Sequence, residues 1–154
     1  MKRYIIALLL LIPMISHAEI PAISKLGKEA SKQENVEHTS VGRFMLGLAA
    51  LAAEEQESEI FKMLDNIEVI ECTNKAYSPK LLQSAKAIIE KIGAELIDSQ
   101  DDGEEICNIY IIGNQKIIKE LIIIIESHNA EVAIMVMSGE IPVDRLAEIA
   151  KMKS

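Results

Sequence analysis

The sequence has no tryptophan, two phenylalanines, three tyrosines and two cysteines, and its basic residues are outnumbered 16 to 24 by acidic ones. Each scarcity removes a class of function. Sugar platforms and base-stacking surfaces need several aromatic rings. Only Phe44, Phe61, Tyr77 and Tyr110 are available beyond the first 18 residues. Phosphate backbones and anionic lipid surfaces are held by clustered Lys and Arg, so nucleic acid is not an expected partner. Two cysteines 35 positions apart form neither a CxxC pair nor, with three scattered histidines, a zinc set. There is also no GxSxG elbow, no HExxH and no glycine-rich phosphate loop after a strand. Catalysis would therefore have to be assembled from residues far apart in the chain. No metal or cofactor is expected.

What is present begins with "MKRYIIALLLLIPMISHAEIP", a basic start at Lys2 and Arg3, an apolar stretch over residues 4–15 and then small residues. A membrane span needs roughly 20 apolar residues, so the shorter stretch reads as an export signal, with Ser16 and Ala18 meeting the small-x-small requirement for a cut after Ala18. No cysteine near the cut could accept a lipid. Removing residues 1–18 takes Lys2 and Arg3 from the 16 basic residues, leaving 14 against 24 acids and a formal charge of −10. The expected location is the periplasm or the extracellular space.

The polar stretch 19–40, with Pro21 and Gly27, reads as a flexible lead-in, and residues 41–154 as one domain. "VGRFMLGLAALAA" puts Val41, Phe44, Met45, Leu48, Ala49 and Ala52 at helical spacing with Ser40 as an N-cap, and "IFKMLDNI" continues with a second helix. From Ile67 the period falls toward two. "IEVIEC" reads as a strand, and residues 78–93 as a helix with Ser78 as cap, Pro79 in its first turn and Gly93 past its end. "AELIDS", "EEICNIYII", "IIKELIIIIE" and "EVAIMVMS" read as four more strands, joined by short connections rich in Gly, Asn and Asp that suit hairpins.

In "LIIIIESHNAEVAIMVM", residues 121–137, five apolar residues followed at once by Glu126, His128 and Asn129 cannot form a span. They predict paired strands with Leu121, Ile123 and Ile125 on one face and Ile122 and Ile124 on the other, both covered. The final stripe, Val143, Leu146, Ile149 and Ala150 after Pro142, predicts a helix that could share a face with the helix at 78–93, leaving the opposite face to the helix from Val41. The expected class is α+β, a mostly antiparallel sheet of about five strands covered by helices, two N-terminal to the sheet and one C-terminal.

Cys72 and Cys107 could close a disulfide loop of about 35 residues, contributing roughly 4 kcal/mol by chain entropy. Alternatively they are two buried thiols on non-adjacent strands. In "DSQDDGEEICNI", residues 98–109, Asp98, Asp102 and Gly103 suggest a calcium loop. Gln100 at the third position and Ile109 at the twelfth break the pattern, so a solvated hairpin turn is the better reading. His38 in the lead-in and His128 in a turn have no metal-ligand spacing. Met45, Met63, Met135 and Met137 fit ordinary core filling or an adaptable contact surface. Ala133, Met135 and Met137 share a strand face, the candidate surface for self-association.

With the elements placed, "VGRFMLGLAAL", "FKMLDNIEVIE" and above all "ELIIIIESHNAEVAIMVMSGEIPVDRLAEI" resemble a family of small exported or lipid-anchored proteins, chiefly of Bacteroidetes, known as domain of unknown function family 4252. The resemblance runs from about Val41 to Met152. It carries no catalytic signature, and many relatives have a lipidation cysteine after the signal that this chain lacks. Together these readings imply an exported cell-envelope protein that is not an enzyme, working by protein interaction or self-association, with another envelope protein or a second copy as partner. The alternative is a small enzyme or an apolar-ligand carrier with a pocket between helices and sheet.

Overall fold

The computed structural model describes residues 19–147. Six strands, β1 (Val36–Gly42), β2 (Leu64–Cys72), β3 (Glu95–Asp101), β4 (Glu105–Gly113), β5 (Ile117–Ser127) and β6 (Val132–Pro142), form one sheet in the order β1-β2-β6-β5-β4-β3, every neighbour antiparallel. Four helices accompany them: α1 (Glu19–Ala30), α2 (Arg43–Ala52), α3 (Glu55–Met63) and α4 (Ser78–Ile92). None is long and apolar enough to cross a membrane. The class is mixed α and β, as expected, with one strand more.

The extra strand corrects the reading of residues 19–40 as a flexible lead-in. Ile23, Leu26 and Ala30 recur at i, i+3 and i+7, and α1 lays that stripe on the sheet, burying Ile23 and Ala30 completely or nearly so. β1 then pairs along its whole length with β2. Its pattern was masked because β1 is an edge strand, apolar only at Val36 and Val41. Ser40 accordingly lies within β1 rather than at a helix start, and α2 begins after Gly42 with no side-chain cap. β2 also starts at Leu64, three residues before the run of strand-like periodicity.

Side-chain alternation divides the core in two. Toward α1 and α4 point Ile70 and Cys72 of β2, Val132, Ile134 and Val136 of β6, and Ile122 and Ile124 of β5, meeting Leu81, Ala85 and Ile89 of α4. Toward α2 and α3 point Leu121 and Ile123 of β5, with Ile118, Ile141 and Cys107, meeting Leu46 and Ile60. The split of Leu121, Ile123 and Ile125 from Ile122 and Ile124 is the predicted one, and it arises because β5 and β6 are the two central strands. Each fully buried isoleucine contributes about 1.5–3 kcal/mol of transfer free energy.

Val143 and Leu146, at the turn Val143–Arg145, pack with the α2/α3 side rather than with α4, contrary to the expectation from the sequence. The reason is register. β6 ends with Ile141 on the α2/α3 side, so the chain leaves the sheet there. Arg145 donates to Glu59 of α3, pinning the turn. Ile149 and Ala150 lie outside the described residues.

The three hairpins add side-chain acceptors to their backbone turn hydrogen bonds. Asp102 accepts hydrogen bonds from the N–H groups of Glu104 (2.9 Å) and Glu105 (2.8 Å) between β3 and β4. Asn114 accepts from Lys116 and Ile117 between β4 and β5. The Ser127 hydroxyl accepts from Asn129 between β5 and β6. α4 ends at Gly93 in the left-handed conformation (φ 74°), with its N–H returned to the last turn of the helix.

Candidate functional site

The expected site residues fall in three places. Cys72 lies buried on the α1/α4 side of β2 and Cys107 buried on the α2/α3 side of β4, and both are free thiols. β6 and β5 stand between them. Three strand spacings of about 4.8 Å, on opposite faces of the sheet, exceed the roughly 7 Å Cα separation that a disulfide tolerates. The disulfide is therefore replaced by the other reading, two separate buried thiols. The Cys72 sulfur instead lies 3.2 Å from the Ser78 hydroxyl, which itself donates to the carbonyl of Asn74 (2.9 Å) and anchors the start of α4.

The acids at 98–109 serve the β3–β4 turn, since Asp101 and Asp102 accept backbone N–H groups. Among the described residues no three His, Cys, Asp or Glu side chains converge on a point that could hold a metal. His128 is exposed, 4.0 Å from Asp101. His38 is not in a tether: it is half-buried in β1 beneath α1, where a Cβ on Gly27 would come within 2.5 Å of its ring. A side chain at 27 would require the imidazole to move out of that space.

Ala133, Met135 and Met137 share the α2/α3 face of β6 and are half-buried, the two methionines packing into the cluster that supports α2. Cross-strand partners extend the apolar strip to Val69 and Ile67 on β2 and to Ile123 and Leu121 on β5. Beyond β5 the same face holds an apolar cavity of about 200 Å³ lined by Ile97, Ile109, Leu121, Ile123, Leu146 and Ala147, with Asp98 at its margin. Ligand sites generally run from about 300 Å³ upward.

Among the described residues, four of the six exposed large apolar side chains lie on α2. Leu46 and Ala50 face inward, while Phe44 is 78%, Met45 55%, Leu48 47% and Leu51 83% exposed. A helix that is apolar on every side has a second face to cover. Four large side chains present on the order of 500 Å² of apolar area, at the upper end of what single chains leave in water. Periodicity alone identified this stretch as a buried helix. That reading missed the outward stripe because a helix of apolar residues gives no polar face to show which side meets water.

A third group lies on the α1/α4 face of the sheet. Glu68 of β2, Glu120 of β5 and Ser138 of β6 are 4–5% exposed. Glu120 and Ser138 are cross-strand partners, and Ser138 also pairs with Asn66, which takes a hydrogen bond from Ser40 (3.2 Å). One carboxylate oxygen of Glu68 and the Ser138 hydroxyl have no hydrogen-bond partner among the described residues. Strand alternation places Glu68 on the face of Ile70 and Glu120 on the face of Ile122, a signal in the sequence that could have found them.

With the fold and these surfaces in hand, comparison of the sequence with protein families is decisive. The family model described as Domain of unknown function (DUF4252) matches residues 29–149. The chain belongs to that family. The match spans β1 through β6, so the DUF4252 unit includes the edge strand and all six strands of the sheet, not only the part from Val41 onward. No curated protein and no solved structure matches the chain.

Proposed function

We propose that this DUF4252 protein is an exported cell-envelope protein that acts through a binding surface rather than through catalysis. The observation that carries the reading is the outward apolar stripe of α2, Phe44, Met45, Leu48 and Leu51, held rigidly over the sheet by Leu46, Ala50 and Ile60. Water-exposed side chains of this size are costly, and a partner that covers them recovers about 25 cal/mol per Å². Export is supported by the basic, apolar and small-residue succession over residues 1–18. The partner is another envelope protein or a second copy. Met135 and Met137 of the β6 strip belong to the same apolar cluster as Leu46 of α2.

The test is made in cells. An epitope-tagged chain is fractionated and its mass measured, with a start at Glu19 and an envelope fraction expected. Cross-linking is then compared between the natural chain and the Phe44→Ser, Leu51→Ser double variant. Loss of a discrete cross-linked species in the variant supports the reading. An unprocessed cytosolic chain, or cross-linking indifferent to the double variant, refutes it.

A second reading is supported by the cavity beside Ile109 and Ile123, in which the protein carries a small apolar molecule between the sheet and the turn at Val143–Arg145. Saturable binding of a fluorescent short-chain fatty acid, abolished by Ile109→Trp, supports it. Linear, non-saturating uptake refutes it.

A further inference from the structure

We infer that the occupant of the α2 stripe is a second copy of this chain, with the two α2 helices packed antiparallel about a two-fold axis passing near Gly47 and Leu48. The inference rests on the reading of α2 as a binding surface and names what fills it.

The stripe has the shape of a helix-to-helix seam. Phe44, Leu48 and Leu51 recur at i, i+4 and i+7, flanked by Met45. A two-fold contact is made by one patch against itself, so residues before the midpoint must suit those after it. Arg43–Ala52 meets that condition: pairing about its centre sets Phe44 against the second copy's Leu51 and Leu48 against Gly47, with the two Leu48 residues adjoining across the axis. At the centre a Cβ on Gly47 would have nothing within 4 Å, so neither side chain nor neighbour keeps a second helix away there.

Charge selects the direction. α2 bears a single charge, Arg43 at its start, which lies 3.5 Å from Asp65 of β2 in an exposed ion pair that leaves most of its guanidinium in water, while Glu54 and Glu55 follow its end. Antiparallel packing brings each Arg43 beside the other copy's Glu54 and Glu55; parallel packing would set like charges together. The same acids, with Glu57 and Glu59 on α3, oppose docking on an anionic lipid surface. The apolar stripe of roughly 500 Å² falls short of the ~800 Å² per partner of a standard interface, which suits a weak, concentration-dependent contact. Association in the micromolar range is the expected strength.

The protein is expressed from the full 154-residue sequence and purified, and its mass is followed by sedimentation between about 1 and 100 µM, a range that brackets a micromolar constant. The natural chain shifts from one-chain to two-chain mass across that range. Leu48→Glu, exposed and therefore compatible with folding, stays at one-chain mass with an unchanged circular dichroism spectrum. Under mild oxidation Leu48→Cys links to itself. Phe44→Cys links to Leu51→Cys when the two variants are mixed, but not to itself. A natural chain that remains single at the highest concentration overturns the inference, as does a dimer that survives Leu48→Glu or a Phe44→Cys self-link matching that of Leu48→Cys. Loss of the cellular cross-link in the Phe44→Ser, Leu51→Ser variant alongside a strictly single natural chain overturns the homodimer while leaving the binding-surface reading intact. If that cross-link is also indifferent to the variant, both fail.

Discussion

Two glycine-to-alanine substitutions, chemically identical, are expected to move stability in opposite directions. Gly139 sits on β6 beside an irregularity in its pairing with β2, opposite Leu64. A Cβ at 139 would lie 2.2 Å from the carbonyl oxygen of Met63 and 2.9 Å from the Cα of Leu64, and both are backbone atoms that cannot rotate away. Relief requires β6 to move from the α3–β2 junction, breaking ladder hydrogen bonds and loosening Ile141 and Leu64, both buried in the α2/α3 cluster. Overpacking of this kind costs about 1–3 kcal/mol, and the clash with backbone places Gly139→Ala at or above the top of that range. Gly47 is mid-helix in α2 with open space around its Cβ, so Gly47→Ala gains about 0.5–1 kcal/mol from reduced freedom of the unfolded chain and better helix propensity. In a domain of this size each kcal/mol shifts Tm by about 3–5 °C. Gly139→Ala should therefore lower Tm by roughly 10 °C or more and Gly47→Ala raise it by a few degrees. Urea titration at low protein concentration, where association does not contribute, should show shifted midpoints with unchanged slopes. A Gly139→Ala variant within about 0.5 kcal/mol of the natural chain would refute the close approach of β6 to the Met63–Leu64 backbone.

Two further predictions concern the core. Thiol titration of the denatured, unreduced protein should find both Cys72 and Cys107 reactive, and reductant should leave Tm unchanged; a peptide linked through the two would contradict the sheet order. Glu68→Met should stabilise the protein at neutral pH by about 1–3 kcal/mol, because it removes a buried carboxylate with an unpartnered oxygen and fills the same volume with an apolar chain. A loss of stability in that variant would mean the carboxylate is paired.

How much could be read in advance follows from how each signal arises. The meander β3 to β6 was legible because its turns announce themselves through Asp102–Gly103, Gly113–Asn114 and Ser127–Ala130, and because the middle of β5, Leu121–Ile125, is covered on both faces and is apolar at every position. α4 was legible from its stripe, its early proline and Gly93. β1 was not, since an edge strand needs few apolar residues and Glu37, His38, Thr39 and Ser40 look like solvated loop. α1 was missed for a related reason: with only Ile23, Leu26 and Ala30 turned inward, its sequence is mostly the polar outer face. The separation of Cys72 from Cys107 was one of two readings and could not be chosen from the sequence, because strand order is a long-range property that no local pattern encodes: β6, last of the strands in the chain, inserts beside β2. Likewise the apolar character of α2 was plain while the direction it faces was not.

The position of β6 also governs when the protein can finish folding. α1, β1, α2, α3 and β2 form one contiguous stretch of chain, and β3, β4 and β5 a second, but β2 and β5 share no edge until β6 lies between them. A chain emerging from the ribosome can thus build only two incomplete half-sheets, each with a bare strand edge, until residues near 142 are free. Such a topology delays closure of the sheet until its final strand has emerged.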